Sequence, residues 1–473
     1  RLTWSSGRIA TAKDPAGSVY SYSYDSNGNL TGVNYPSGTG SRTYHYENGT
    51  NSSWLTGVSI DGQRFSTFSY YANGQVSQTI HASNQDQHNF SYGTLGTGQA
   101  FTDVTGPGGA TTRYVFEDVD GSIRLAGTSR SGVSNCPNAA SEIAYDTNGY
   151  VDYKVDWRGV KTDYSYNDWG QLLDVTSGIS TSTPSESVPR TLVYEWTADN
   201  RLDKVTTYGA TLSEPIKEVD YVYYSATDAE RGRLKQIRVK DLTSFGTGIA
   251  EITEYYYSFH AGGLQPSLLT VDSPLPGTGD RRYWKYNAAG RLSWTRVGPS
   301  GVNEIITTYA NYNGLGQART ITNPNGHVTN RTIDARGRVS GTAETISGAN
   351  ADYSYQLDGL GNVASVTVNS DPIVTRSIGP SGLVGSEFLG TDATQKQLFE
   401  YNGFGKITKY ETSQVNYIRD PNCPPAAPGE PGFCPRIPVT VSTPHFEYGY
   451  DEIGRLTDIV GGINQHLEYR YDN

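Results

Sequence analysis

The chain has 473 residues with 54 Gly, 36 Tyr and no Met, and it is only 35% hydrophobic with Tyr included. A formal charge of −11 offers no basic face to a nucleic-acid partner. No apolar run reaches the roughly 18–20 residues of a membrane helix.

The first clear element sets the pattern for the rest. Tyr20, Tyr22 and Tyr24 alternate along a strand; Asp25, two small polar residues, Gly28 and then Leu30 follow. The same order returns at Tyr145-Asp146 with Gly149, Tyr166-Asn167 with Gly170, Tyr286-Asn287 with Gly290, Tyr401-Asn402 with Gly405, and Tyr450-Asp451 with Gly454. Asp bonds its own backbone and Gly supplies a positive φ, so each cluster reads as a tight turn. A second turn type lies between them: Asp14-Pro15-Ala16-Gly17, Tyr35-Pro36-Ser37-Gly38, Gly106-Pro107-Gly108-Gly109 and Asn323-Pro324-Asn325-Gly326. There Pro presets φ at the second position.

Spacing turns these clusters into an architecture. Gly17 to Gly28, Gly159 to Gly170 and Gly326 to Gly337 are each 11 residues; Gly28 to Gly38 and Gly149 to Gly159 are 10. One unit is therefore 21 residues, two strands of about seven residues and two turns, which predicts a meander of hairpins. Insertions are expected as surface loops at 92–108, 128–142, 177–190, 240–250, 272–280 and 413–440. In the last, Cys423 and Cys434 frame a Pro-rich stretch and form a candidate disulfide, with Cys136 left over as either a free thiol or the alternative partner of one of them. The chain opens in mid-repeat and closes on Tyr471-Asp472-Asn473. It reads as one segment, 1–473, of a larger protein whose neighbouring repeats continue it.

Dimensions then predict the shape. Some 36 strands at about 4.8 Å would run to about 170 Å in a ribbon only about 23 Å wide. Sheets beyond about ten strands curl, and twist makes a narrow ribbon coil. The expected fold is all-β: one long antiparallel sheet wound spirally into a hollow shell.

The motifs Tyr450 to Leu456 and Tyr286 to Leu292, with Asp14-Pro15 and Asn323-Pro324 turns between such units, resemble the Rhs/YD-repeat proteins over essentially the whole chain. That family includes bacterial polymorphic toxins, the C component of insecticidal toxin complexes, and the animal teneurins. The resemblance implies a β-shell that encloses a polypeptide cargo, a C-terminal toxin domain, for delivery outside the cell. The alternative it implies is a secreted or cell-surface adhesion module whose aromatic face binds a cell-surface glycan. The core segment that ends the toxin shells, with its cleavage site, has no counterpart here.

No constellation for catalysis stands out. Asp25, Asp146 and Asp451 recur once per unit, whereas a catalytic pair is unique to one cleft. Glu117 to Gly121 lacks the distal Glu of a calcium loop, and Gly93 to Gly98 lacks the Lys of a phosphate loop. The expectation is a non-enzyme without cofactor or metal, in which the residues at 24, 25 and 28 and their repeats are structural.

Overall fold

The structure is a computed structural model. It describes residues 1–15, 17–36, 40–81, 84–130, 139–180, 189–261, 263, 265–299, 304–346, 348–390, 395–419, 436–451, 455–461 and 465–470; side chains are not described at 139, 180, 414–419 and 436–445. Cys136, Cys423, Cys434 and Gly454 lie outside the described residues.

Among the described residues thirty-seven strands, from Leu2–Ser5 to Gln465–Glu468, form a single sheet. Each pairs antiparallel with its neighbours in sequence, as Leu2–Ser5 does with Arg8–Lys13 and Leu456–Gly461 with Gln465–Glu468. The sheet is open, and no helix occurs among the described residues.

Low hydrophobic content shows in the packing. Among the described apolar residues only Val33, Ala110 and Ala126 are buried, and no large side chain is fully so. Accessible surface is 27708 Å², against about 17,000 Å² for a compact monomer of 51.5 kDa. A wall one sheet thick, wet on both faces, accounts for that excess.

The sequence reading of 92–108 as a loop is corrected. Gln85–Thr94, Ala100–Thr105 and Thr111–Val119 are paired strands through that region. Gly96, Thr97 and Gly98, and Gly106 and Gly108, occupy two tight turns, closed by Gly98 N–H donating to the Leu95 carbonyl and Gly109 N–H to the Gly106 carbonyl. The 413–440 insertion likewise lengthens a hairpin, since Ile407–Arg419 pairs with Arg436–Tyr450.

Candidate functional site: a self-abutting wall

The turns explain the signature residue by residue. Asp25 Oδ1 accepts from the N–H groups of Asn27 (2.9 Å) and Asn29 (2.8 Å), while Gly28 N–H closes onto the Asp25 carbonyl at φ +90°. Asp146, Asn167, Asn287, Asp334 and Asn402 accept the same pair of backbone donors. Asp451 accepts from Arg455 N–H at 2.7 Å, and Gly149 and Gly290 sit at φ +78° and +74°. Arg fits after the Gly because its guanidinium reaches back: Arg338 Nε and Arg455 Nε donate to Asp334 Oδ2 (2.8 Å) and Asp451 Oδ2 (2.6 Å). Burial pushes the Asp334 carboxyl up, but these donors outweigh it and hold the group below the usual carboxylate range.

In many units the aromatic residue before the Asp/Asn turn fastens one hairpin to the previous one. The register slips at Tyr24, which faces Leu30, and again at Tyr145, Tyr286 and Tyr450. This bulge leaves Leu30 beyond the next pairing, which covers only Gly32 to Asn34. Tyr46 O–H then donates to the Leu30 carbonyl at 3.1 Å. The bond recurs from Tyr24 to Ile9, Tyr145 to Leu125, Tyr223 to Leu202, Tyr401 to Val384 and Tyr450 to Ile407, at 2.7–3.0 Å. Trp196 replaces Tyr at one unit and donates Nε1–H to Leu172 at 2.8 Å. Where the bond forms, the residue is a flat apolar ring with a donor at its tip; Phe259, Ile333, Leu357 and Ile378 stand at the same register slip in other units and fill it with apolar bulk alone. Where an Arg precedes the acceptor it lies over the same ring: Arg8 over Tyr24, Arg124 over Tyr145, Arg201 over Tyr223 and Arg291 over Tyr312, at 4.3–5.6 Å. Tyr24, Asp25, Gly28, Tyr145, Asp146, Gly149, Tyr450 and Asp451 are thus placed in turns and fasteners and Tyr286 and Gly290 at a register slip and its turn, and none of them converges on a cleft.

Long-range contacts reveal how the ribbon winds. Tyr20 O–H donates to the Gly314 carbonyl at 2.9 Å, and Asp86 N–H to the Pro380 carbonyl at 2.8 Å. Gln85 Nε2 reaches Asp358 (3.2 Å), and Arg291 pairs with Asp14 at 3.5 Å. Arg336 lies 4.3 Å over Phe65 and Arg130 4.6 Å over Phe404. At Gly108 an added Cβ would stand 2.5 Å from the Gly403 carbonyl oxygen. The separations run only from 271 residues (Phe65 to Arg336) to 295 (Gly108 to Gly403).

Every one of these contacts joins opposite edges of the ribbon. Residues 14, 86, 108 and their like belong to the Pro-Gly turn edge; 291, 314, 380 and 403 belong to the Asp/Asn turn edge. The facing turns lie 21 or 23 strands further on, so each turn seats in the notch between two others. One revolution is therefore about 22 strands, about 105 Å around at about 4.8 Å each, with a diameter near 34 Å. Subtracting about 5 Å of side chain on each side leaves a lumen about 24 Å wide.

The two faces of the wall differ. On Glu251–Phe259, Tyr255, Tyr257 and Phe259 share one half-buried face, while Glu254 and Tyr256 share the other. The second face is laced with charge: Lys204 meets Glu218 (3.3 Å), Lys240 meets Asp220 (3.3 Å), and Tyr256 donates to Glu254 and is pushed up to about 12 by that bond. Clefts are shallow. One of about 610 Å³ follows the seam past Asp86, Ala110, Pro380 and Phe404, and one of about 260 Å³ lies beside the His327–Glu344 pair. Among the described residues no three His, Cys, Asp or Glu side chains gather as a metal set. The seam itself is what sequence reasoning missed; its signal is the Gly pair 108 and 403, where nothing larger fits.

The sequence profile of the RHS Repeat family matches residues 4–39, the span that holds the first complete Tyr-Asp turn. Residues 4–39 carry an RHS repeat. No protein of curated description matches the chain. Among solved structures, a Photorhabdus luminescens Tc holotoxin pore is 14% identical over 98% of this chain and 25% of its own, with a TM-score of 0.43. A TcdB2-TccC3 structure is also 14% identical, over 95% of this chain and 26% of its own, with a TM-score of 0.45. A porin-like protein from Bacteroides uniformis is 12% identical over 59% and 89%, with a TM-score of 0.19. The chain spans about a quarter of the length of the solved chains it matches.

Proposed function

We propose that the chain is a non-catalytic wall that encloses a polypeptide, an effector delivered outside the cell. The observation that supports it is the seam: the ribbon meets itself after one revolution and so bounds a lumen rather than an open groove. Width sets what the lumen takes. A compact 100-residue domain has a radius of gyration of about 13 Å, hence a diameter beyond 30 Å, wider than the lumen. A helix about 10–12 Å across or an unfolded chain enters readily. The cargo of this segment is accordingly a chain held short of its globular fold.

The test is protease protection of the natural gene product with mass mapping. A segment outside residues 1–473 that survives until denaturant opens the wall supports enclosure. Digestion of everything outside 1–473 while the wall persists overturns it and turns attention to the exposed aromatics as an adhesive surface.

A further inference from the structure

Several cations of the wall share one setting, between an aromatic ring and a carboxylate. Arg113 lies 3.9 Å over Phe101 and donates to both oxygens of Asp103, at 2.7 and 2.8 Å. Arg296 lies 4.0 Å over Tyr283 and pairs with Glu304 at 3.0 Å. Lys161 lies 4.3 Å over Tyr153 and pairs with Asp163 at 2.7 Å, and Arg201 lies 4.3 Å over Tyr223 and pairs with Asp199. In each, the negative face of the ring and the carboxylate act on the cation together.

The cleft of about 260 Å³ beside His327 and Glu344 has the rings and the carboxylate with one position open. Ile346, Ala351, Tyr353 and Tyr355 line it. Register puts its parts on one face of three strands: Thr329 of Val328–Ile333 faces Glu344 of Val339–Ile346, Glu344 faces Ala351 of Ala349–Leu357, and Thr342 faces Tyr353. The Glu344 side chain is only 17% exposed and is held at one oxygen, where Oε2 accepts from Thr329 Oγ1 at 3.0 Å and meets His327 Nε2. Among the described residues no donor reaches Oε1, no cation lies over Tyr353 or Tyr355, and neither of their hydroxyls has a partner. Arg331, two positions from Thr329 on the same face, is exposed and pairs with none of them. A carboxylate with one oxygen taken still serves a second cation, as Glu218 does with Lys240 on Oε1 and Lys204 on Oε2. The cleft opens on a face of the wall, so what adjoins either edge leaves it accessible.

We propose that this cleft binds a basic side chain, Lys or Arg, of a second polypeptide. Size sets the choice. About 260 Å³ falls short of the roughly 300–1,000 Å³ that engulf a whole small-molecule ligand, so the cleft takes one alkyl stem while the partner's backbone lies over the flanking face. The stem packs against Ile346 and Ala351, its charge meets Glu344 Oε1, and Tyr353 and Tyr355 supply the rings. Binding needs neither a lumen nor a cargo, so its failure would leave the enclosure reading standing.

Saturation-transfer NMR on the 473-residue chain tests this. The probes are Nα-acetyl-lysine methylamide and Nα-acetyl-arginine methylamide, with their norleucine and citrulline analogues as uncharged controls. A single side chain binds weakly, so the expected result is saturable transfer to the stem protons with a Kd in the millimolar range, about threefold or more tighter than for the controls. Glu344→Gln keeps the size of the side chain and an acceptor for Thr329, and should abolish the preference for charge. Tyr353→Leu keeps apolar bulk without the ring and should weaken both charged probes about threefold. Because the partner's backbone contributes, n-butylamine should bind more weakly than the lysine probe; equal binding would assign the cleft to free amines and overturn the polypeptide. Equal transfer to charged and uncharged probes, binding indifferent to Glu344→Gln with unchanged circular dichroism, or no transfer at concentrations on the order of tens of millimolar would each overturn the proposal.

Discussion

Gly108→Ala isolates the seam from everything else in the wall. The backbone at Gly108 lies outside the positive-φ region, so Ala is acceptable locally; the obstacle is Gly403, 295 residues away, whose carbonyl oxygen would sit 2.5 Å from the new Cβ and its Cα at 3.0 Å. Backbone cannot swing aside as a side-chain tip can, and overpacking of this kind costs about 1–3 kcal/mol. Gly96→Ala is the control, with nothing within 4 Å of its added Cβ and no positive φ. Both variants gain about 0.4–1 kcal/mol by restricting the unfolded chain, so their difference reports the clash alone. Global unfolding of a repeat array need not be two-state, so the assay should be local. Asp86 N–H, bonded across the same seam to Pro380, is the reporter in native-state hydrogen exchange. Its opening should become about 5- to 150-fold easier in Gly108→Ala than in Gly96→Ala, the equivalent of about 1–3 kcal/mol. Equal protection in the two variants would refute the winding, because only a coiled ribbon brings Gly108 to Gly403.

The fastener makes a second prediction: Tyr145→Phe keeps the ring under Arg124 but removes the bond to Leu125, and should cost about 0.5–1.5 kcal/mol in the exchange of its hairpin. Tyr145→Trp should recover part of that, since Trp196 fills the equivalent place with an N–H donor. Acid should loosen the turns in a defined window. Asp334 and Asp358 have folded pKa values below their ordinary ones, burial raising them and side-chain and backbone donors lowering them further. Their stabilisation is complete above the unfolded value near 3.9 and is lost as pH falls through the lower folded values; amide exchange at Arg336 and Asn362, corrected for intrinsic rate, should therefore lose protection only below about pH 4. In base, the fastener tyrosines Tyr145, Tyr223 and Tyr401, raised first of all by burial, should ionise above the ordinary value of about 10 by phenolate absorbance, and a titration at or below 10 in the folded chain would contradict their placement.

Much of the wall was legible because the repeat writes its turns in residues with few substitutes. Gly28 and Gly149 occupy positive φ, Asp25 and Asp146 cap their own loops, and the period of 21 counts the hairpins. The curling was legible from length against width. Its radius was not. One revolution in about 22 strands means about 16° per strand, close to the ordinary inter-strand twist of about 20–25°, and no single residue encodes so small a rotation. The region 92–108 was misread for a related reason: Gly93 and Thr94 look like loop residues, yet Gly93 pairs opposite Phe101, whose ring lies where a Cβ would be, 2.5 Å away. The Tyr–carbonyl bond was visible only as an unexplained regularity, since its acceptor is backbone.

Cross-linking mass spectrometry with a short reagent on the 473-residue chain tests the coil most directly. Beyond neighbouring hairpins, links should cluster at separations of about 271–295 residues and join Pro-Gly turns to Asp/Asn turns, as Asp14 meets Arg291. Long-range links scattered over other separations, or none beyond adjacent hairpins, would mean that the ribbon does not close on itself and encloses nothing.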